Sequence, residues 1–408
     1  MQFKRKITKS LAAVLSAAFV GLFGTAEYYS HRLPESVTAE AVSGLKIAEY
    51  PEISCCGFPV DNIFSTKTLS DSGKVTLSLF GAIPVKTVEV REEPAPVLIA
   101  GGTPFGIKLL MEGVMVTEIG GIEDESGGIA YPAKDSGIRV GDIICLANGE
   151  PVLSNSYLQE VIGNSNGAAV VLTVSRGDDR FTAELTPVKS GTSGKWRGGM
   201  WVRDSIAGIG TMTFINKQTG EFAGLGHPIC DSDTGELVPI HSGEAVHVEI
   251  NEAKRGQKGV PGELRGRFIN GETYGSLCLN NECGIFGKLT DEELSEICSE
   301  GKEYKMSYRQ EIKTGSAEIL ATVSGGTPER YAIEIESIDY NSGKSSKNMV
   351  IRITDPRLIE ATGGIVQGMS GSPIIQNDKL VGAVTHVFVA DPTRGYAVFA
   401  ENMAEFLS

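Results

Sequence analysis

Short apolar stretches, each bounded by turn residues that include glycine, recur from about residue 75 to the carboxyl end. Typical examples are 317–323, 331–338 and 380–388. Runs of this length that are rich in β-branched residues predict strands. The chain has 50 glycines in 408 residues, about 12% against a usual content of about 7%. The pattern therefore predicts a mainly β fold whose second half is a closed or sandwiched antiparallel sheet.

The overall charge argues against nucleic acid as a partner. The chain carries 37 lysine and arginine residues against 51 aspartate and glutamate residues, a formal net charge of −14. A surface of this sign repels a polyanion. Charged residues make up 22% of the chain and hydrophobic residues 41%, which is ordinary usage for folded globular domains.

The cysteines show no spacing typical of a metal site. Seven are present, and no two of them form a CxxC pair. His227 and Cys230 have a ligand-like spacing, but a second pair of ligands with matching spacing is missing. We therefore expect no metal and no other cofactor, and free or partly paired thiols.

The amino end is typical of an export signal. Lys4, Arg5, Lys6 and Lys9 precede an uncharged stretch at 10–26, and this charge asymmetry predicts that the rest of the chain faces the far side of a membrane. Residues 1–30 are expected to be a retained membrane anchor, with a cleaved signal or a buried helix as the alternatives. Residues 31–96 are predicted to be a juxtamembrane segment followed by leading strands at 75–80 and 85–90.

Residues 97–188 have the element order of a PDZ domain. Strands are predicted at 106–110 and 114–117 around a turn at Glu112-Gly113, and a capped helix is predicted at 154–162. With "PAKDSGIRVGDIICLANGEPV" at its centre, this unit resembles the PDZ domains that are attached to bacterial proteases.

The resemblance implies a peptide-binding groove, because PDZ domains add an extended peptide to a sheet edge. One wall would be 103–107, with Phe105, Gly106 and Ile107 as binding residues, and the helix at 154–162 would be the other. The alternative is that Phe105 and Ile107 are core residues. The small residues at 190–194 predict a flexible linker to a separate domain at 195–408.

The sequence Gly368-Met369-Ser370-Gly371-Ser372-Pro373 is similar to the nucleophile turn of chymotrypsin-like serine proteases. A serine on such a tight turn is exposed to substrate, and the backbone N–H groups of Gly368 and Ser370 would converge on the developing oxyanion. Ser372 is a rival nucleophile, although its place before proline suits a turn better.

A serine hydroxyl needs a neighbouring base, and the chain has five histidines. His227 lies in "GLGHPI", where glycines predict a turn that presents the ring. His241, His247 and His386 are alternatives. Asp355, which ends a predicted strand 15 residues before the serine (370 − 355), is a candidate for the acidic third member among many carboxylates. The alternative is a strand-end aspartate that caps a turn.

The motifs "GLGHPI", "RITDPRLIEATGGIVQGMSGSPIIQ" and "VGAVTHVF", together with the export signal and the PDZ-like unit, resemble the stage IV sporulation protein B peptidase family of spore-forming bacteria. The resemblance runs from about residue 75 through nearly the whole remaining chain. It implies a chymotrypsin-like double β-barrel peptidase domain, which follows or embraces the PDZ domain, and a catalytic triad at His227, Asp355 and Ser370.

The resemblance also implies a biological role. A member of this family is expected to cross the forespore membrane into the intermembrane space and to cleave its own amino-terminal region. It would then cut a membrane-bound regulatory subunit of an intramembrane protease, which activates processing of a pro-sigma factor. Two other functions are compatible with the motifs: a non-catalytic PDZ scaffold, and a general envelope protease that degrades unfolded proteins.

Overall fold

A computed structural model describes residues 2–41, 45–55, 73–177, 179–341, 343 and 345–407. The first part of the chain contains α1 (Gln2–Arg32), β1 (Ser36–Ala39), β2 (Lys46–Ile47), β3 (Tyr50–Cys55), β4 (Gly73–Leu79) and β5 (Ile83–Glu92). The next part contains β6 (Val97–Ala100), β7 (Pro104–Ile119), β8 (Ile122–Glu123), β9 (Ile129–Ala130), α2 (Pro132–Asp135), β10 (Ile143–Ala147), β11 (Glu150–Pro151), α3 (Asn155–Asn164), β12 (Val170–Arg176), β13 (Asp179–Leu185), β14 (Val188–Lys189) and β15 (Trp196–Arg197).

The remaining elements follow in chain order. They are β16 (Met200–Ile215), β17 (Glu221–Gly224), β18 (Ile240–Lys254), β19 (Glu263–Asn281), β20 (Gly284–Leu289), α4 (Asp291–Glu300), β21 (Glu303–Met306), a short 3₁₀ helix (Arg309–Glu311), β22 (Gly315–Ala321), β23 (Glu329–Ile338), β24 (Met349–Ile353), α5 (Pro356–Thr362), β25 (Pro373–Gln376), β26 (Lys379–Phe388), β27 (Asp391–Phe399) and α6 (Ala400–Ala404). The mainly β prediction is confirmed.

Six strands close into a first barrel. The first half of β7 pairs with the second half of β16, and the pairing continues through β17, β20, β19 and β18 back to β7. Alternate residues of these strands point inward, so Phe105, Leu109 and Phe222 are fully or almost fully buried at its centre. Burial of aromatic and aliphatic area on this scale is the main stabilising contribution to such a domain.

A second barrel is built in the same way by β22, β23, β24, β27, β26 and β25, and the last of these pairs back to β22. Its interior is formed by aliphatic residues that include Ile319, Ile333 and Ile351. A third apolar cluster, with Phe214, Phe286 and Val398 among its members, packs residues of the two barrels against each other. The chain therefore has the double β-barrel that the resemblance predicted.

The PDZ unit is inserted into the first barrel, so of the two predicted arrangements the peptidase domain embraces the PDZ unit and does not simply follow it. β7 passes from the barrel into the PDZ unit without the predicted turn, because Gly113, with φ of +100°, bends the strand and lets it continue. A Cβ at Gly113 would lie 2.8 Å from Ile143 and Ile144 atoms, so only glycine fits the bend. β16 then returns beside β7, from Met200↔Ile119 in the PDZ unit to Thr211↔Pro104 in the barrel.

This insertion corrects the predicted domain boundaries. Residues 97–188 and 195–408 are not two consecutive domains, because the PDZ sheet and the first barrel share β7 and β16. The segment at 190–194 is the tip of the hairpin formed by β14 and β15 and does not link two domains. The predicted helix at 154–162 is confirmed: Ser154 caps α3 through a side-chain oxygen, and Thr290 caps α4 in the same way.

The segment before the first barrel is more structured than predicted. β1 to β5 form a five-stranded sheet, whose apolar residues, such as Ile47 and Leu77, join the core of the second barrel. The strands before residue 56 lack a clear alternation, which is why the sequence indicated only an extended segment there. Residues 56–72, which include Cys56 and the end of the predicted juxtamembrane segment, lie outside the described residues.

The amino-terminal helix α1 has 31 residues. Within the described part of the chain, no helix combines the length and the hydropathy that a membrane crossing requires.

Candidate active site

His227 lies just beyond the end of β17 on a strained turn. Leu225 has φ of 65° and Gly226 has φ of 70°, so a non-glycine residue adopts the left-handed conformation immediately before the histidine. The Asn280 side chain holds the loop that follows, since it accepts from the Ile229 N–H and donates to the Ile229 carbonyl, both at 2.8 Å. Sequence reasoning missed this positioning residue, because nothing near Asn280 in the sequence connects it with His227.

The His227 ring has one nitrogen bound and one available. Nδ1 lies 2.8 Å from the Pro228 carbonyl oxygen. A carbonyl only accepts, so Nδ1 carries the proton and Nε2 has the lone pair that a base requires. Burial lowers the pKa of His227 below its ordinary value of 6.5, which keeps the ring neutral near pH 7.

Ser370 lies on the turn between α5 and β25, and two glycines shape that turn. Gly368 and Gly371 both have φ of +97°. A Cβ at Gly371 would be 2.0 Å from the Thr211 carbonyl oxygen, so a side chain there is excluded. Thr211, in the first barrel, donates from its N–H to the Ser370 carbonyl at 2.9 Å and from its hydroxyl to the Gly368 carbonyl at 2.7 Å.

The backbone N–H groups of Gly368 and Ser370 donate to no residue that the structure describes. Their neighbours are bound: the Met369 N–H donates to Val366 and the Gly371 N–H donates to Val384. Two available amides that flank one residue are what an oxyanion hole consists of.

His227 and Ser370 line the same cavity, of about 540 Å³, at the junction of the two barrels. The Ser370 hydroxyl donates to the Thr385 carbonyl at 2.7 Å and not to His227. The structure thus brings the base and the nucleophile into one cleft, with the hydroxyl bound to a backbone acceptor.

His386 is the third side chain of interest in this cleft. Its ring centroid lies 4.7 Å from that of His227, and its Nδ1 has no hydrogen-bond partner among the described residues. Burial first, and then the neighbouring His227, lowers the pKa of His386 to about 4. The two adjacent imidazoles are therefore both neutral at physiological pH. The sequence placed His386 on a strand after the serine, but only the fold brings that strand to His227.

The other two histidine alternatives are not part of this cleft. His247 stacks on Tyr274 with ring centroids 3.7 Å apart and contacts Glu293 at 2.9 Å. His241 is exposed. Ser372 has its hydroxyl fully buried, which argues against the rival nucleophile because substrate cannot reach it.

Asp355 does not contact His227 or Ser370 in the structure, contrary to the predicted triad. Its carboxylate caps α5 by accepting from the Arg357 N–H, and it also binds the Arg357 guanidinium and the Ala332 N–H. The hydrogen bond from Arg357 is the main cause that lowers the Asp355 pKa to about 2. Its position at the end of β24 was predicted correctly, but the helix that follows takes both oxygens.

The predicted PDZ groove is also corrected. Phe105 and Gly106 belong to the wall of the first barrel: Phe105 is fully buried against Phe222, with ring centroids 5.8 Å apart, and Gly106 pairs with Ile209 and Val246. Ile107 lines the cavity with His227 and Ser370. The core alternative is therefore the right one for Phe105.

The groove of the PDZ unit lies instead between α3 and the start of β16. The residues that line it are Asn155, Leu158, Gln159, Ile162, Trp196, Arg197, Gly198, Met200 and Val202. The helix wall is the one predicted, but the strand wall comes almost 100 residues later in the chain. The Gly198 and Gly199 N–H groups donate to no described residue, so they are available for a carboxylate.

The residues that the structure describes contain no group of three or more His, Cys, Asp or Glu side chains placed to hold a metal ion.

Comparison with known proteins gives three similarities. A family model described as SpoIVB peptidase S55 matches residues 194–404. The "Putative zinc metalloprotease NMA0084" of Neisseria meningitidis is 29% identical over 193 residues, which cover 44% of this chain and 41% of that protein. The chain thus spans about two fifths of the length of this curated relative. The crystal structure of the PDZ domain of the SdrC-like protein Lmo2051 from Listeria monocytogenes is 22% identical. It covers 22% of this chain and 87% of that chain with a TM-score of 0.19, too low to support an argument.

The lowered pKa of His227 predicts the pH dependence of Ser370 reactivity. Because burial lowers this pKa below 6.5, the base is already deprotonated at mildly acidic pH. The rate at which a fluorophosphonate labels Ser370 should therefore reach half its plateau below pH 6.5. His247→Asn, outside the cleft, should leave this midpoint unchanged. A midpoint above pH 7 in the unmodified chain would contradict the assignment.

The contacts of Asp355 predict that its removal affects stability more than Ser370 reactivity. Asp355→Ala should lower the free energy of unfolding by roughly 1–3 kcal/mol at pH 7, measured by urea denaturation, because the cap of α5 is lost and the Ala332 N–H loses its carboxylate acceptor. Since the folded-state pKa is about 2 and the ordinary value is 3.8, this contribution is present above about pH 4 and is lost toward pH 2.

Asp355→Asn distinguishes a structural role of Asp355 as a helix cap from a catalytic role in a triad, because it keeps the shape of the side chain and removes its charge. The folded variant should still be labelled at Ser370. If it unfolds like the unmodified chain and yet loses labelling as completely as His227→Ala, Asp355 is a member of a triad after all. Glu329→Gln, at the exposed partner of Arg357, is the matched control.

Proposed function

The chain belongs to the SpoIVB peptidase S55 family and is therefore a serine endopeptidase, and we propose that Ser370 is its nucleophile and His227 its general base. The observation that carries this assignment is the shared cleft at the junction of the barrels, where both side chains line one cavity. The backbone N–H groups of Gly368 and Ser370, which donate to no described residue, support it.

The proposed reaction begins when the Ser370 hydroxyl leaves the Thr385 carbonyl and turns toward His227. Nε2 takes the hydroxyl proton as Oγ attacks the carbonyl carbon of the scissile peptide bond. The Gly368 and Ser370 N–H groups stabilise the oxyanion, a contribution of about 2.7–4 kcal/mol for each such donor in other serine proteases. His227 then gives the proton to the leaving amine, and water hydrolyses the acyl-enzyme by the same route.

In this proposal His227 is oriented by a backbone carbonyl rather than by a carboxylate. The Pro228 oxygen holds the Nδ1 proton and so fixes the tautomer, which is part of the work that an aspartate does in the usual triad. Asp355 acts indirectly: it caps α5, and α5 leads into the residues that form the serine turn. Asp355 is thus a positioning residue in this proposal.

The family also supports a role in sporulation, and we propose that this role is proteolytic signalling. The protein would be exported across the forespore membrane, with its amino-terminal segment as an anchor until processing. It would cleave its own amino-terminal region and then cut a membrane-bound regulatory subunit of an intramembrane protease, so that a pro-sigma factor is processed. A non-catalytic scaffold would require no Ser370 chemistry, and a general envelope protease would digest unfolded casein rapidly.

Replacing the nucleophile tests the catalytic proposal. Ser370→Ala should remove fluorophosphonate labelling and self-cleavage, lowering any activity by at least about 1,000-fold, while the circular-dichroism spectrum and the unfolding midpoint stay unchanged. His227→Ala should suppress labelling of the intact Ser370. Unchanged peptide cleavage by Ser370→Ala would exclude Ser370 as the nucleophile. Ser205→Ala, at an exposed serine on β16, is the control.

We propose in addition that the PDZ groove binds a peptide with a free carboxyl terminus. The start of β16 pairs only with β7 among the described strands, so its other edge, which faces α3, is open for an added strand. The Gly198 and Gly199 N–H groups would receive the carboxylate, and the groove side chains, including Leu158, Ile162 and Met200, would receive an apolar terminal residue.

Fluorescence of Trp196, which lines the groove, provides the measurement for this second site. An apolar peptide with a free carboxyl terminus should change the emission in a saturable way, and the same peptide as an amide should bind at least about 10-fold more weakly. Met200→Lys should abolish the change, whereas Val171→Lys, on an exposed side chain of the same unit, should not. Equal binding of the acid and the amide would contradict the carboxylate role.

A further inference from the structure

The cleft around Ser370 is lined without a single charged side chain among its described residues. Nine of the lining residues are aliphatic or proline, among them Ile206, Ile209, Ile229, Ile365, Val366 and Val387. The other lining residues are glycine, the two histidines and uncharged polar side chains that include Ser370 and Thr385. Because both imidazoles have lowered pKa values, the histidines add no positive charge near pH 7.

Part of this apolar surface is accessible to a substrate. Ile206, Ile209, Ile229 and Val387 are half-buried, although they face the cavity. Ile365 and Val366 also line the cavity, and they are almost fully buried. Half-exposed aliphatic residues around a nucleophile can bury further apolar area when a ligand covers them, and this burial stabilises the complex.

The backbone beside Ser370 is suited to an extended chain. β26 pairs with β25 only up to Ala383, and beyond Val384 the strand is paired with β27 on one side alone. The Thr385 carbonyl on the open side faces the cleft, because it accepts from the Ser370 hydroxyl. An extended peptide can add to such an edge with its side chains alternating toward and away from the surface.

We propose that this cleft is specific for an uncharged aliphatic side chain at the residue whose carbonyl is attacked, and that Ile365, Val366 and Val387 form the pocket for it. This proposal rests on the assignment of Ser370 as the nucleophile. A charged side chain in that position would lose its hydration and find no partner, and such burial is strongly unfavourable. The substrate class is therefore an extended peptide segment that carries leucine, isoleucine, valine or alanine at the cleaved bond.

Matched peptides test this specificity on the full-length chain. A set of fluorogenic peptides would differ only at the residue before the scissile bond, with leucine, valine, lysine or glutamate. We expect kcat/KM for lysine and glutamate to be lower than for leucine by at least about 100-fold. Cleavage of the lysine or glutamate peptide at a rate similar to that of the leucine peptide would overturn the proposal.

Val387→Asp should move the specificity in a predictable direction. A carboxylate in the pocket gives a lysine side chain a partner, so the ratio of kcat/KM for lysine over leucine should rise by at least about 10-fold. Val389→Asp, two residues later at a side chain that is 54% exposed and does not line the cleft, should leave the ratio unchanged. The same rise in both variants would mean that overall charge, and not the pocket, sets the preference, and would overturn the assignment.

Labelling separates failure of the pocket from failure of the nucleophile. If a fluorophosphonate labels Ser370 but the chain cleaves none of the aliphatic peptides, the substrate class is wrong and the nucleophile stands. If Ser370 is not labelled and no peptide is cleaved, the proposed function fails and the specificity fails with it.

Discussion

Two hydrogen bonds from Thr211 join the barrels at the point where the nucleophile lies. The Thr211 N–H and hydroxyl bind the carbonyls of Ser370 and Gly368, so a strand of the first barrel fixes both ends of the serine turn in the second. The Gly371 Cα lies so close to Thr211 that no side chain fits between them. The cleft depends on the register in which β16 pairs within the first barrel. A shift of β16 by one residue would turn Thr211 to the opposite face, away from the serine turn.

The same strand reaches the PDZ groove. β16 forms the open edge of the groove at its start, lines the catalytic cleft at Gly208 and Ile209, and ends at the contacts of Thr211. The two sites are thus built on one continuous strand within a shared sheet, rather than on two domains joined by a flexible linker. This arrangement follows from the insertion of the PDZ unit between the first two strands of the barrel.

Much of the local structure could be predicted from the sequence. The strands of the second barrel, the helices α3 and α4 with their capping residues, and the glycine-bounded turns at His227 and Ser370 all follow from short-range patterns. The predictions failed where one strand belongs to two sheets or where one side chain fits two roles. Gly113 has the conformation expected of a turn, but it bends β7 from one sheet into another. The contacts that Asp355 makes could not be predicted either, because a strand-end aspartate before proline fits a triad and a helix cap equally well.

Residue chemistry and chain order determined that this protein is mainly β, that it contains a PDZ-like unit, and that His227 and Ser370 are its strongest catalytic candidates, because these features depend on neighbours a few positions away. The tertiary structure decided which strand completes the PDZ groove, that His386 stands beside His227, that Asp355 faces Arg357, and that the cleft is lined by uncharged residues. Those relations join residues that are distant along the chain, and such contacts are set by how strands pair and barrels pack, which no local pattern specifies.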